Sequence, residues 1–115
     1  MTRDEANAFC RNLPNAEYTE PWGPGVECWK ISGKMFAICG FEKDGIVLKC
    51  ETPDQASMLI DVGVAEPAPY LKRGGWVLIR FGAVEPDDLK ARIETSRQVV
   101  IKSLTKAQKS ALESA

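Results

Sequence analysis

The stretch "VECWKISGKMFAICGFEKDGIVLKC", residues 26–50, reads as three short strands separated by two turn signals. β-Branched and aromatic residues dominate each run. Ser32-Gly33 and Asp44-Gly45 both match the two-residue loops that close β-hairpins, where a glycine tolerates positive φ. The expectation is an antiparallel meander over 26–31, 34–41 and 46–50. With Ser32-Gly33 at the first tip, Ile31 faces Lys34, Trp29 faces Phe36, Cys28 faces Ala37 and Val26 faces Cys39. With Asp44-Gly45 at the second, Phe41 faces Leu48 and Cys39 faces Cys50. Because side chains alternate, this register assigns faces. Val26, Cys28, Ala37, Cys39, Phe41, Leu48 and Cys50 make a small apolar face suited to helix packing. Glu27, Trp29, Lys34, Phe36, Ile38, Val47 and Lys49 make a mixed face, partly open to solvent or a partner, or else covered by the loop around Trp22.

Working outward, "TRDE" is a capping box with Thr2 as cap and Glu5 at the third helical position. Ala6, Phe9, Cys10 and Leu13 repeat at helical spacing, so a first helix ends near Asn12. Residues 14–25 hold three prolines and two glycines and read as a rigid loop, with Trp22 folded back as a plug. After the meander, Thr52 caps a second helix with Pro53 at its first position and Gly63 as its stop. Ala56, Leu59 and Ile60 form its apolar face. "EPAPYLKRGGWVLIR", residues 66–80, follows as an extended piece, a "KRGG" turn and a strand opening on Trp76. The longest helix starts at "EPDD" and buries Leu89, Ile93, Ser96, Val100 and Leu104; Thr105 caps a short terminal one. The order α-β-β-β-α-β-β-α over residues 1–115 predicts one domain of α+β class, a two-layer sandwich with helices on an antiparallel sheet.

Composition narrows the function classes. A 44% hydrophobic chain with three tryptophans can bury one core. No apolar run approaches the ~18 residues of a membrane span, and no apolar leader is evident, so the expected location is cytoplasmic and no membrane partner is expected. The chain has no histidine, and no pair among Cys10, Cys28, Cys39 and Cys50 has CxxC spacing. Buried free thiols, no metal site and no cofactor are therefore expected. Carboxylates gather at helix starts, where the macrodipole accounts for them. No nucleophile–base set or phosphate-loop motif occurs, so no catalytic residues and no enzyme are expected.

Net charge is -1, from 15 basic and 16 acidic residues, so binding of an anion must come from a local cluster. Lys72, Arg73 and Arg80 stand in a stretch, residues 70–80, that contains no acid. A basic hairpin tip of this kind could meet a phosphate backbone, or could keep an edge hairpin soluble.

Taken in order, "EPWG", "WKISGKMFAI", "LKC", "PAPYLKRGGWVLI" and "SRQVVIKSLTK" resemble the MmcQ/YjbR family of small bacterial proteins over nearly the whole chain. The resemblance implies an α-β(3)-α-β(2)-α sandwich similar to secretion-chaperone folds, and it implies DNA binding. The matching positions include Pro21, Trp22, Gly23, Lys34, Met35, Phe36, Lys49, Tyr70, Lys72, Trp76 and Ser96. The expected partner is thus DNA, met by Lys34, Lys49, Lys72, Arg73 and Arg80. The alternative is a protein- or peptide-interaction module that uses Trp29, Phe36 and Ile38 toward another protein or a second copy of itself.

Overall fold

The fold is read from a computed structural model that describes residues 1–41, 44–71 and 73–113. Helix α1 (Arg3–Arg11) leads into strands β1 (Glu17–Thr19), β2 (Glu27–Ile31), β3 (Lys34–Cys39) and β4 (Gly45–Lys49). Then follow α2 (Pro53–Asp61), β5 (Glu66–Pro67), β6 (Trp76–Arg80), α3 (Pro86–Lys102) and α4 (Lys106–Glu113). All strands pair antiparallel in the order β1-β2-β3-β4-β6-β5. The helices pack on one face, so the architecture is the α+β two-layer sandwich the sequence predicts.

The helix starts follow their caps. Thr2 and Glu5 exchange side-chain and backbone bonds across the first turn of α1. Thr52 Oγ1 accepts from the Gln55 amide, with Pro53 opening α2. Each cap satisfies amides that the first helical turn leaves without partners.

The predicted register holds at the first turn and fails beyond it. Ser32 (φ 50) and Gly33 (φ 76) form a left-handed two-residue turn, and Ile31 pairs with Lys34 as expected. A bulge then intervenes: Lys30 pairs with Met35 but Trp29 pairs with Ala37, leaving Phe36 as the extra residue. Cys28 consequently faces Ile38, and Glu27 faces Cys39. The one-residue slip turns Trp29 and Phe36 toward the helices, where they are among the largest fully buried side chains. Cys28 and Val26 move to the other face. Burying two large rings between the layers is the gain that favours the bulge over a regular ladder.

The second junction also differs. Cys39 pairs with Ile46, not Cys50, and Ala37 with Leu48, so Asp44-Gly45 is not a two-residue tip. The chain leaves the ladder at Gly40 (φ 100), a position only glycine fits, since a Cβ there would stand 2.1 Å from the Gly25 carbonyl oxygen. Phe41 thereby reaches the open face instead of the helix face. The loop over 14–25 is less irregular than predicted, since β1 within it forms an edge of the sheet.

Two apolar clusters result. The larger lies between sheet and helices and joins Ala6 and Cys10 of α1, Ala56 and Leu59 of α2, and Leu89, Ile93 and Val100 of α3 to the inward strand residues. The smaller lies on the opposite face around Cys28, Ile38, Val47, Ala68 and Leu78, with Phe41, Leu71 and Trp76 at its margin. That face is closed by Ala68 and Leu71, and β5 and β6 are not joined by the tight "KRGG" turn, because Pro67 already pairs with Val77. Prolines 67 and 69 supply no ladder amide, and Ala68 and Leu71 gain burial by folding inward.

Polar ties lock the layers together. Trp29 Nε1 donates to Asn7 Oδ1 at 2.9 Å, and Asn7 Nδ2 donates to Glu27 Oε1 at 2.7 Å. Arg3 Nε donates to the same Glu27 oxygen at 2.8 Å. The buried Ser96 of α3 accepts from the Lys49 amide at 2.9 Å and donates to the Phe36 carbonyl at 2.5 Å. It serves the two backbone groups that the bulged β3 leaves beside the end of β4.

Candidate functional site

Among the described residues, basic side chains gather at the end of the sheet where β2 finishes, β3 begins, β4 finishes and β6 begins. The bulge sets which lysines meet there. Lys30 faces away from the helices, on the same side as Lys49, which pairs with Trp76. Lys34 pairs with Ile31 and turns toward the helix layer, where its Nζ donates to the Ser103 carbonyl at 3.4 Å. Lys30, Lys34 and Lys49 line one cleft of about 490 Å3 with Met35, Trp76 and the C-terminal turn of α3. Among the described residues no carboxylate lines it. Glu17 lies across the β1–β2 ladder from Lys30, but its Oε1 accepts from the Gly33 amide at 3.0 Å.

Several local features hold this arrangement. Ser96 fixes the backbone of Lys49. The Lys49 ammonium lies 5.7 Å from the centre of the Trp76 ring, a cation–π distance. Lys34 closes the C-terminal end of α3, where the macrodipole favours a cation. Two lysines thus have structural engagements and still border the cleft.

Trp76 is also a wall of a second cleft, about 440 Å3, between α2 and residues 67–71 and 73–76. This one is mainly apolar, with Ile60, Pro67, Ala68 and Leu71 in its lining and Arg73 at its rim. The two clefts adjoin through Trp76 and Gly74, whose added Cβ would stand 3.8 Å from both Lys49 Cε and the Trp76 ring.

The sequence-predicted residues divide. Lys34 and Lys49 come together, and Arg73 lies beside the adjoining cleft rather than at a hairpin tip. Lys72 lies outside the described residues. Arg80 is separate: it sits at the opposite end of β6 beside Gly45, and its guanidinium is engaged by Glu66, which raises its pKa. Lys30 was missed, because the bulge-free register turns it toward the helices.

The aromatic face predicted as the alternative site does not exist in that form. Trp29 and Phe36 are 1% and 0% exposed in the helix-side core, and Ile38 is buried in the cluster with Ala68 and Leu71. Exposed aromatics occur elsewhere. Trp22, 50% exposed, packs edge-to-face on Phe41 at 5.0 Å, and Phe41 in turn meets Tyr70, 74% exposed, at 5.8 Å. Trp22 is therefore a perched ring rather than a plug.

The cysteines are all free and buried. Burial pushes the Cys10 thiol up to about 12 and raises Cys28, Cys39 and Cys50 as well, so none is an activated thiolate. No helix among the described residues is long and apolar enough to cross a membrane.

These features define a small α+β sandwich with a basic cleft at one sheet end. The chain belongs to the YjbR family, whose model matches residues 11–99, well over half its length. The solved structure of Deinococcus radiodurans protein DR2400, which carries the domain DUF419, shares the fold with a TM-score of 0.84 at 24% identity. That match covers 97% of this chain and 88% of the other. No curated protein sequence matches the chain.

Proposed function

We propose that this chain is a non-catalytic DNA-binding protein whose phosphate contacts come from Lys30, Lys34 and Lys49, with Arg73 extending the basic surface. The observation that supports this reading is the cleft itself: three lysines from three adjacent strands, with no carboxylate among the described lining residues, in a chain of net charge -1. Such local concentration attracts a phosphate backbone without a basic protein overall. Affinity gained this way is largely independent of base sequence and weakens with salt.

The test is fluorescence anisotropy of labelled DNA, single- and double-stranded, across a salt series. The Lys30→Gln/Lys49→Gln variant spares the Lys34 helix cap. Its binding should weaken for every sequence, and the slope of log affinity against log salt should flatten by roughly 0.7–0.9 per lysine removed. Unchanged affinity and slope, or no binding by the parent protein at low salt, would sink the proposal. The exposed Trp22–Phe41–Tyr70 cluster supports a second reading, a contact surface for another protein. Retention by a Trp22→Ala/Tyr70→Ala variant of every partner the parent captures would remove it.

A further inference from the structure

The proposed phosphate site has an apolar neighbour that phosphate binding alone leaves unused. The cleft between α2 and residues 67–71 and 73–76 opens onto the same Trp76 that walls the lysine cleft. Its volume, about 440 Å3, lies within the roughly 300–1,000 Å3 of small-molecule clefts. Its walls supply aliphatic surface from Ile60, Pro67 and Leu71, the Trp76 ring, and polar groups from Ser57 and Arg73 at the edge. Among the described residues no carboxylate lines either cleft, so nothing in the described linings repels an anion. Gly74 keeps the passage between them free of any side chain of its own.

A flat, partly polar ring system attached to a phosphate matches this pairing of surfaces. We propose that the two clefts together bind one unpaired nucleotide, its base in the α2 cleft against Trp76 and its phosphate toward Lys30 and Lys49. The base must be unpaired because a duplex buries base faces in its own stack and presents only edges. This inference rests on the phosphate reading given above and names its substrate class. The nucleotide's source is a single strand or a free mononucleotide.

The experiment compares a single-stranded oligonucleotide with an abasic strand of equal length, and so equal phosphate charge. The base-bearing strand should bind roughly 5- to 150-fold more tightly, the range one stacked base supplies. It should also quench tryptophan emission, and the quench should persist in Trp22→Phe, which removes the exposed tryptophan outside the clefts. Ser57 is exposed on α2 and lines the apolar cleft, so Ser57→Trp should fill it and erase the preference while leaving abasic-strand affinity unchanged. Equal affinity for the two strands overturns the inference yet leaves the phosphate reading standing. Loss of the quench in Trp22→Phe, or a full preference in Ser57→Trp, also overturns it. If neither strand binds, this inference falls, and the phosphate reading falls with it when duplex DNA also fails to bind at low salt. A mononucleotide that saturates the same quench supports the proposal with free nucleotide as source, and a quench confined to strands supports it with single-stranded DNA.

Discussion

Ser96 shows how much one hydroxyl can organise. Its oxygen sits in a fully buried position and joins the Lys49 amide to the Phe36 carbonyl, two groups on different strands. Ser96→Ala leaves both without a partner in the core, where an unsatisfied backbone group is costly. The expected loss is about 1–3 kcal/mol of stability, read by urea denaturation; an unchanged midpoint would show the groups find other partners. Since Ser96 also sets the backbone of Lys49, the same variant should weaken DNA binding beyond what its stability loss explains. The sequence placed Ser96 on the buried stripe of its helix by spacing alone, but not its bonding. Ser96 reaches backbone groups of two strands because the β3–β4 ladder is interrupted beside the bulge at Phe36.

At the scale of elements, α1 is fastened to β2 by charge as well as packing. Arg3 hydrogen-bonds Glu27 and holds its carboxyl below the ordinary 4.5, burial opposes this, and Asn7 adds a second bond in the same direction. A depressed carboxylate contributes stability that is present above pH 4.5 and is lost as pH falls through the folded value. Thermal melts should therefore show a decline below that pH which Glu27→Gln makes shallower; equal acid sensitivity in parent and variant would refute the assignment. Apart from β1, the elements were legible in the sequence, because caps such as Thr2 and Thr52 and turn residues such as Ser32-Gly33 act locally. Their registers were not. Trp29 and Phe36 carry the same residue types whether or not a bulge separates them, and only the volume between sheet and helices selects the inward arrangement. The error propagated to function: it hid Lys30, and it put two core rings on an imagined binding face.

At the scale of the whole molecule, the four cysteines report on integrity. All are buried and their thiols are raised by burial, Cys10 to about 12. A thiol reagent near neutral pH should therefore label none in the folded protein and all four after denaturation. Rapid labelling of the native state would contradict the two-cluster core. By itself the sequence determined the class of the fold, the order of its helices and central strands, the absence of ligand-spaced cysteines and the YjbR resemblance, since all of these rest on spacing along the chain. Only the tertiary structure decided which side chains share a surface. It turned Trp29 and Phe36 inward, laid Ala68 and Leu71 on the open face, tied Arg80 to Glu66, and gathered Lys30, Lys34 and Lys49 beside Trp76. The physical reason is that a cap or a turn is settled by nearest neighbours, whereas one residue of β-register is settled by how well two layers pack, and each such residue moves a side chain from one face of the sheet to the other.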